Sequence, residues 1–174
     1  FLTTTLTRCA NGEKTRQFGK KTKITTKIMT TYESDVKTIS QPQELVFNLL
    51  SDLSNLQKVQ NSDIEGSEKA AEHFKDITFD ADSVNFSVPG VGRVGFRIIE
   101  REPYKTIKME AENSPIAALG WIQLAPISEE STKMKVTIKA ELPMMIKMMV
   151  DAKLKKGVDT IAEAIATALN SNKL

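Results

Sequence analysis

The sequence predicts an α+β fold: a curved antiparallel sheet of about seven strands around a long C-terminal helix, with two short helices after the first strand. Three observations lead there. Stretches between Ile77 and Leu142 alternate apolar and polar residues, the pattern of strands with one buried and one wet face. Ile146, Val150, Leu154, Val158, Ile161, Ile165 and Leu169 recur every three or four positions, the pattern of an amphipathic helix. Leu45, Val46, Leu49, Leu50 and Leu53 repeat that period over a shorter span.

Composition sets the frame for these elements. The chain has 174 residues, 40% hydrophobic and 26% charged, which suits one soluble globular domain with a full core. A single cysteine excludes an intramolecular disulfide framework, and one histidine beside it leaves little for a zinc site, so no metal and no cofactor is expected. No apolar run approaches the ~20 residues of a membrane-spanning helix, so stable membrane insertion is not expected. Without an apolar export segment, the expected location is the cytoplasm.

Charge divides the chain in two. Residues 1–28 carry seven basic side chains and one acid, whereas the other 146 hold 17 basic and 21 acidic groups. The division predicts a basic, disordered extension over 1–28 and a single folded domain over 29–174. A transit peptide and a nucleic-acid-binding arm are alternatives for the extension. The first is weakened by poor amphipathic character, the second by having only Phe18 as an interleaved aromatic, and no nucleic-acid partner is expected.

The elements follow in order. Tyr32, Ser34, Val36 and Thr38 alternate with charged residues as a first strand, with Ile24 and Ile28 on the same parity upstream. Ser40 with Gln43 reads as a capping box for a helix over 41–52, and Asp52 or Ser54 as the cap of a second helix holding Leu56 and Val59. Residues 61–73 read as a polar loop. Ile77 and Phe79, then Val84, Phe86 and Val88, then Val94, Phe96 and Ile98 define three strands, with turns at Asp80–Asp82 and Pro89–Gly90. Ile107, Met109 and Ala111 follow, then Ala118, Gly120, Ile122 and Leu124 with Trp121 outward. Met134, Val136, Ile138, Ala140 and Leu142 alternate most cleanly. Pro143 ends the sheet, and about 27 residues of helix, roughly 40 Å, complete the chain.

Several segments resemble the helix-grip superfamily of START lipid-transfer domains, plant pathogenesis-related allergens and polyketide cyclase/dehydrase proteins (SRPBCC). They are Tyr32-Glu33-Ser34-Asp35-Val36-Lys37-Thr38-Ile39, Val46-Phe47-Asn48-Leu49-Leu50-Ser51-Asp52-Leu53, Ile98-Ile99-Glu100-Arg101-Glu102-Pro103 and Trp121-Ile122-Gln123-Leu124. In detail they look most like small bacterial members of unassigned function. The resemblance covers about 30–174 and consists of fold signatures rather than catalytic motifs. It implies a cavity between the concave face of the sheet and the last helix. Apolar inward positions support that cavity independently.

The candidate ligand-binding residues are Phe79, Val84, Phe86, Phe96, Ile98, Met109, Ile122, Met134, Val136, Ile138, Met145, Met149, Leu154 and Val158. For any single one of them plain core is the stronger reading and ligand contact the alternative. Met144, Met145, Met148 and Met149 cluster where the mouth is expected, and flexible thioethers suit adaptable surfaces. Gly157 would permit close approach of helix and sheet or leave room for a ligand.

Catalytic constellations are sparse. His73 lies in the polar loop without a neighbouring nucleophile, and Cys9 lies in the extension. Gly90-Val91-Gly92-Arg93-Val94-Gly95 looks like a Gly-rich loop but precedes a strand, so it reads as a turn and a bulge. Asp80 and Asp82 suit a tight turn. Glu100 shares the inward parity of Ile98; buried, it would serve as an acid or base, and neighbouring arginines would instead keep it at the surface. The leading expectation is binding of an apolar small molecule or lipid. A cyclase/dehydrase-like enzyme using Glu100 and a protein-docking module anchored by an exposed Trp121 are the alternatives, and a homodimer is left open.

Overall fold

The computed structural model describes residues 26–60, 75–90 and 92–171, so the readings of 1–25, His73 and the 61–73 loop lie outside the described residues. Strands β1 (Lys27–Glu33) and β2 (Lys37–Ile39) precede helices α1 (Gln43–Leu50) and α2 (Asn55–Gln60). Strands β3 (Lys75–Phe79), β4 (Ser83–Val88), β5 (Gly92–Glu102), β6 (Thr106–Glu112), β7 (Ala118–Ser128) and β8 (Ser131–Pro143) come next, and helix α3 spans Met144–Asn170. The eight strands form one antiparallel sheet ordered β1-β8-β7-β6-β5-β4-β3, with β2 pairing β8 beyond the end of β1.

The first strand begins at Lys27, two residues before the expected boundary, and is broken in two. Glu33 pairs Thr137 and Lys37 pairs Met134, so the edge carries one residue more than its partner between these points. Ser34 occupies the break. Its backbone N–H donates to the Val136 carbonyl, and its hydroxyl accepts from the Val136 N–H. Parity changes across the bulge: Tyr32 and Ile39 are both buried, whereas Val36, expected inward with Tyr32, is exposed.

Helix α1 starts later than expected and carries no side-chain cap. Pro42 sits at its N-terminus with φ −58°, and its carbonyl accepts the Val46 N–H. The Ser40 N–H donates instead to Asn170 Oδ1, and Gln43 Nε2 donates to the Tyr104 carbonyl. Tertiary partners have displaced the expected capping box. The helix buries Val46, Phe47 and Leu50.

The β4–β5 turn falls where Pro89-Gly90 predicts it, with φ of +87° at Gly90 and +105° at Gly92. A second bulge lies in β5, where Ile98 pairs Met109 but Glu100 pairs Lys108.

Ile39, Val46, Leu50, Leu53, Ile107, Met134, Leu142, Val150, Val158 and Leu169 are almost fully buried and form the sealed part of the core, contributed by α1 and the turn after it, by α3 and by the strands beneath them. Helix α3 packs chiefly along β8, β1 and β2. It buries Val150 and then a dense set of positions between Gly157 and Leu169, so its first half is much less covered than its second.

Candidate functional site

Sequence alternation tells which face a side chain occupies, and the structure adds how deeply. Among the expected ligand-binding residues, Ile122, Met134, Val136 and Val158 are 0–4% exposed and belong to the sealed core. Phe96 and Ile98 are also buried. Phe79, Val84, Phe86, Met109, Ile138 and Leu154 pack against the core yet keep partial solvent contact. Their inward direction is fixed by register: Val84 pairs Phe96, Phe86 pairs Val94, and Met109 pairs Gly120.

These half-buried apolar side chains share the inner face of the sheet. The Phe86 and Phe96 rings stack with centroids 6.1 Å apart. Met109 covers Gly120, where an added Cβ would sit 3.7 Å from its methyl carbon. Ile146 and Leu154, both half-buried, come from the first half of α3. Opposite them the β4–β5 turn reaches the helix: a Cβ at Gly90 would lie 3.9 Å from Val150 Cγ1 and 4.0 Å from Met149 Cε.

Met145 and Met149, expected among the ligand-binding residues, are instead 80% and 67% exposed. Helical position explains this, because Val150 and Leu154 take the inward stripe, which puts Met145 on the far side and Met149 on the flank beside the β4–β5 turn.

Glu100 is also elsewhere. The bulge at Ile99 returns it to the outer face, where its side chain is 66% exposed and lies 3.9 Å from Lys108 Nζ. The inward parity read from Ile98 is therefore corrected. Arg101 takes the inner register opposite Ile107 and donates to the Ser51 carbonyl and to Asp82. Trp121, expected to be exposed, is half-buried on the outer face between Lys108 and Thr137 of the adjacent strands. Among the described residues, no group of three or more His, Cys, Asp or Glu side chains could hold a metal ion.

Polar groups that sequence reasoning missed fasten one side of α3. The buried Tyr32 hydroxyl donates to Asp151 Oδ1 at 2.9 Å. Burial, then the hydrogen bond and charge of Asp151, hold this phenol well above its ordinary ionisation range, while the Thr30 hydroxyl acts weakly the other way. Thr30 Oγ1 is itself buried without meeting hydrogen-bond geometry to any partner. Further along, the Asp35 N–H donates to Asp159 Oδ1. Lys37 Nζ lies 2.7 Å from Glu163 and 3.2 Å from Asp159, and its pKa is raised, by the Glu163 hydrogen bond first. Asn170 closes the row by bonding Ser40 and Thr38.

One edge of the helix is thus bolted to β1 and β2. The edge facing the β4–β5 turn meets it through apolar contacts at Gly90. A lone aspartate between Val150 and Leu154, facing a tyrosine on the buried parity, was the available sequence signal.

A bent antiparallel sheet holding a C-terminal helix across its concave face is the arrangement also found in solved structures. Norcoclaurine synthase from Thalictrum flavum, in complex with dopamine and hydroxybenzaldehyde, matches with a TM-score of 0.60 at 10% identity, covering 99% of each chain. The Zhui aromatase/cyclase from Streptomyces sp. R1128 matches at 0.57 and 14% identity, over 83% of this chain and 96% of that one. The fold is the START/SRPBCC helix grip. A START superfamily protein from Mycobacterium smegmatis matches at 0.53 and 10% identity, over 83% of this chain and 98% of that one. No protein-family model and no curated protein matches the sequence. At these identities the helix grip is what is shared, and it is shared by proteins of different activity. No helix among the described residues is long and apolar enough to cross a membrane.

Proposed function

We propose that this helix-grip protein binds an apolar small molecule or lipid in the recess between the concave face of the sheet and the first half of α3. One observation carries the proposal: Val84, Phe86, Met109 and Ile138 on the inner face of the sheet, and Leu154 on the helix, pack against the core yet remain partly open to solvent. Apolar groups held at half exposure on a concave face gain free energy when a ligand covers them. A ligand hiding about 400 Å² of apolar surface would gain roughly 10 kcal/mol at about 25 cal/mol per Å². Association consumes at least ~4 kcal/mol of that, leaving about 6 kcal/mol or less, a Kd of tens of micromolar or weaker. We favour passive binding over a cyclase-like reaction because Glu100, the carboxylate considered for proton transfer, faces away from the recess.

Native mass spectrometry of the purified protein, followed by organic extraction, tests the proposal. A co-purifying apolar species should be present and should be lost in Ile138→Trp, whose indole would occupy the recess. An empty wild-type protein that also takes up no added fatty acid or aromatic probe would refute it.

A further inference from the structure

The first two turns of α3 read Met144-Met145-Ile146-Lys147-Met148-Met149-Val150, apolar on nearly every side of the helix. A helix of that kind is ordinarily buried on all sides. Here it is not. Met144, Met145, Met148 and Met149 are 52%, 80%, 81% and 67% exposed, the densest group of exposed large apolar residues among the described ones. Lys147 lies within this segment, and Lys153, Lys155 and Lys156 come in the next two turns, against the single acid Asp151. Asp151 is occupied by the Tyr32 hydroxyl.

We propose that this face of α3 docks peripherally on an anionic phospholipid bilayer, with the methionines in the acyl boundary and the lysines among the headgroups. The residue types favour lipid over a protein partner. Protein hot spots are typically rigid aromatic or arginine anchors seated in pockets. This face instead offers unbranched, flexible thioethers with a lysine border, which satisfies a fluid interface needing only apolar area and positive charge. Met144 to Met149 span about 8 Å along the helix axis, enough to lay two turns on a surface without any spanning segment. The face lies on the half of α3 that also borders the recess, but docking does not require the recess to be occupied.

Vesicle flotation of the full chain tests this. Vesicles rich in phosphatidylserine should carry the protein, and phosphatidylcholine vesicles should carry about tenfold less. Met145→Ser with Met148→Ser, both at exposed positions, should reduce binding about tenfold or more. Lys155→Gln and Lys156→Gln should each reduce it about fivefold at low salt. Because residues 1–28 are basic and remain in every variant, a positional readout is added. An environment-sensitive dye on Met148→Cys, in a Cys9→Ser background, should shift to the blue on the anionic vesicles. Equal flotation of wild type and the methionine variant, or an unchanged dye spectrum on floated protein, would overturn docking through this face. So would absence of flotation together with a methionine-dependent dimer in sedimentation, which would assign the face to a second copy.

Discussion

Replacing Tyr32 by Phe removes one hydroxyl and leaves the ring where it is. Tyr32 is only 4% exposed, so its ring stays packed in the Phe variant, and the change isolates the bond to Asp151. A hydrogen bond to a charged acceptor contributes about 1.5–3 kcal/mol. Asp151 is exposed and regains water when the phenol is lost, which places the expected loss just below that range, at about 1 kcal/mol. In a domain of this size that corresponds to a fall in Tm of roughly 2–4 °C.

The same substitution has a signature in pH. The folded phenol ionises above its ordinary value of 10.0, so its contribution is complete below that pH and is lost as pH rises beyond it. Lys37 is also raised, from 10.5, by Glu163 and Asp159, and its contribution fades over the same alkaline range. Wild type should therefore lose stability on going from about pH 9 to about pH 11.5, and Tyr32→Phe should lose less because only the lysine part remains. Urea denaturation across that range measures both effects. Equal midpoints at neutral pH together with equal alkaline slopes would show that the Tyr32–Asp151 bond does not hold the helix.

Other outcomes rest on local geometry. Gly95→Ala would place a Cβ 2.5 Å from Asn85 Oδ1 and 3.1 Å from the Glu112 carbonyl. The resulting overpacking should destabilise by about 1–3 kcal/mol in urea titration, with partial recovery when Asn85→Ala is added. Glu100→Gln should change stability by less than about 0.5 kcal/mol and leave ligand uptake intact, since its pairing with Lys108 is exposed and long. Met134→Ala, in a fully buried site, should lose about 2–5 kcal/mol, and Ile138→Ala clearly less, because Ile138 is only partly buried. Equal losses at the two positions, read from urea midpoints, would mean that the recess is closed.

Much of this architecture was legible because β8 and α3 obey their periods without interruption. Alternation from Met134 to Leu142 and recurrence from Ile146 to Leu169 left little room for another fold. The misreadings share a physical origin. At Ser34–Val36 a hydroxyl substitutes for a backbone group in the ladder, and at Ile99 one extra residue is absorbed; neither event changes the apolar pattern of the sequence. Each reverses the facing of the residues after it, and so Val36 and Glu100 end on the outside.

The site was less legible than the fold. Alternation assigns a face but not a depth, so Met134 and Ile138 look alike in sequence although one is sealed and the other half-buried. At Met144–Val150 nearly every position is apolar, and the inward stripe is chosen by packing against the sheet rather than by the pattern itself. The polar row from Asp151 to Asn170 depends on β1 and β2 lying alongside α3, a long-range pairing that no local motif encodes.

Methyl NMR of the full chain, labelled at Ile, Met and Val and titrated with a long-chain fatty acid below its micellar concentration, tests the recess most directly. Binding there should shift Val84, Met109 and Ile138 and leave the sealed Ile107 and Met134 unmoved. Shifts confined to Met145 and Met148 on the outer side of α3, or no shifts at all, would contradict it.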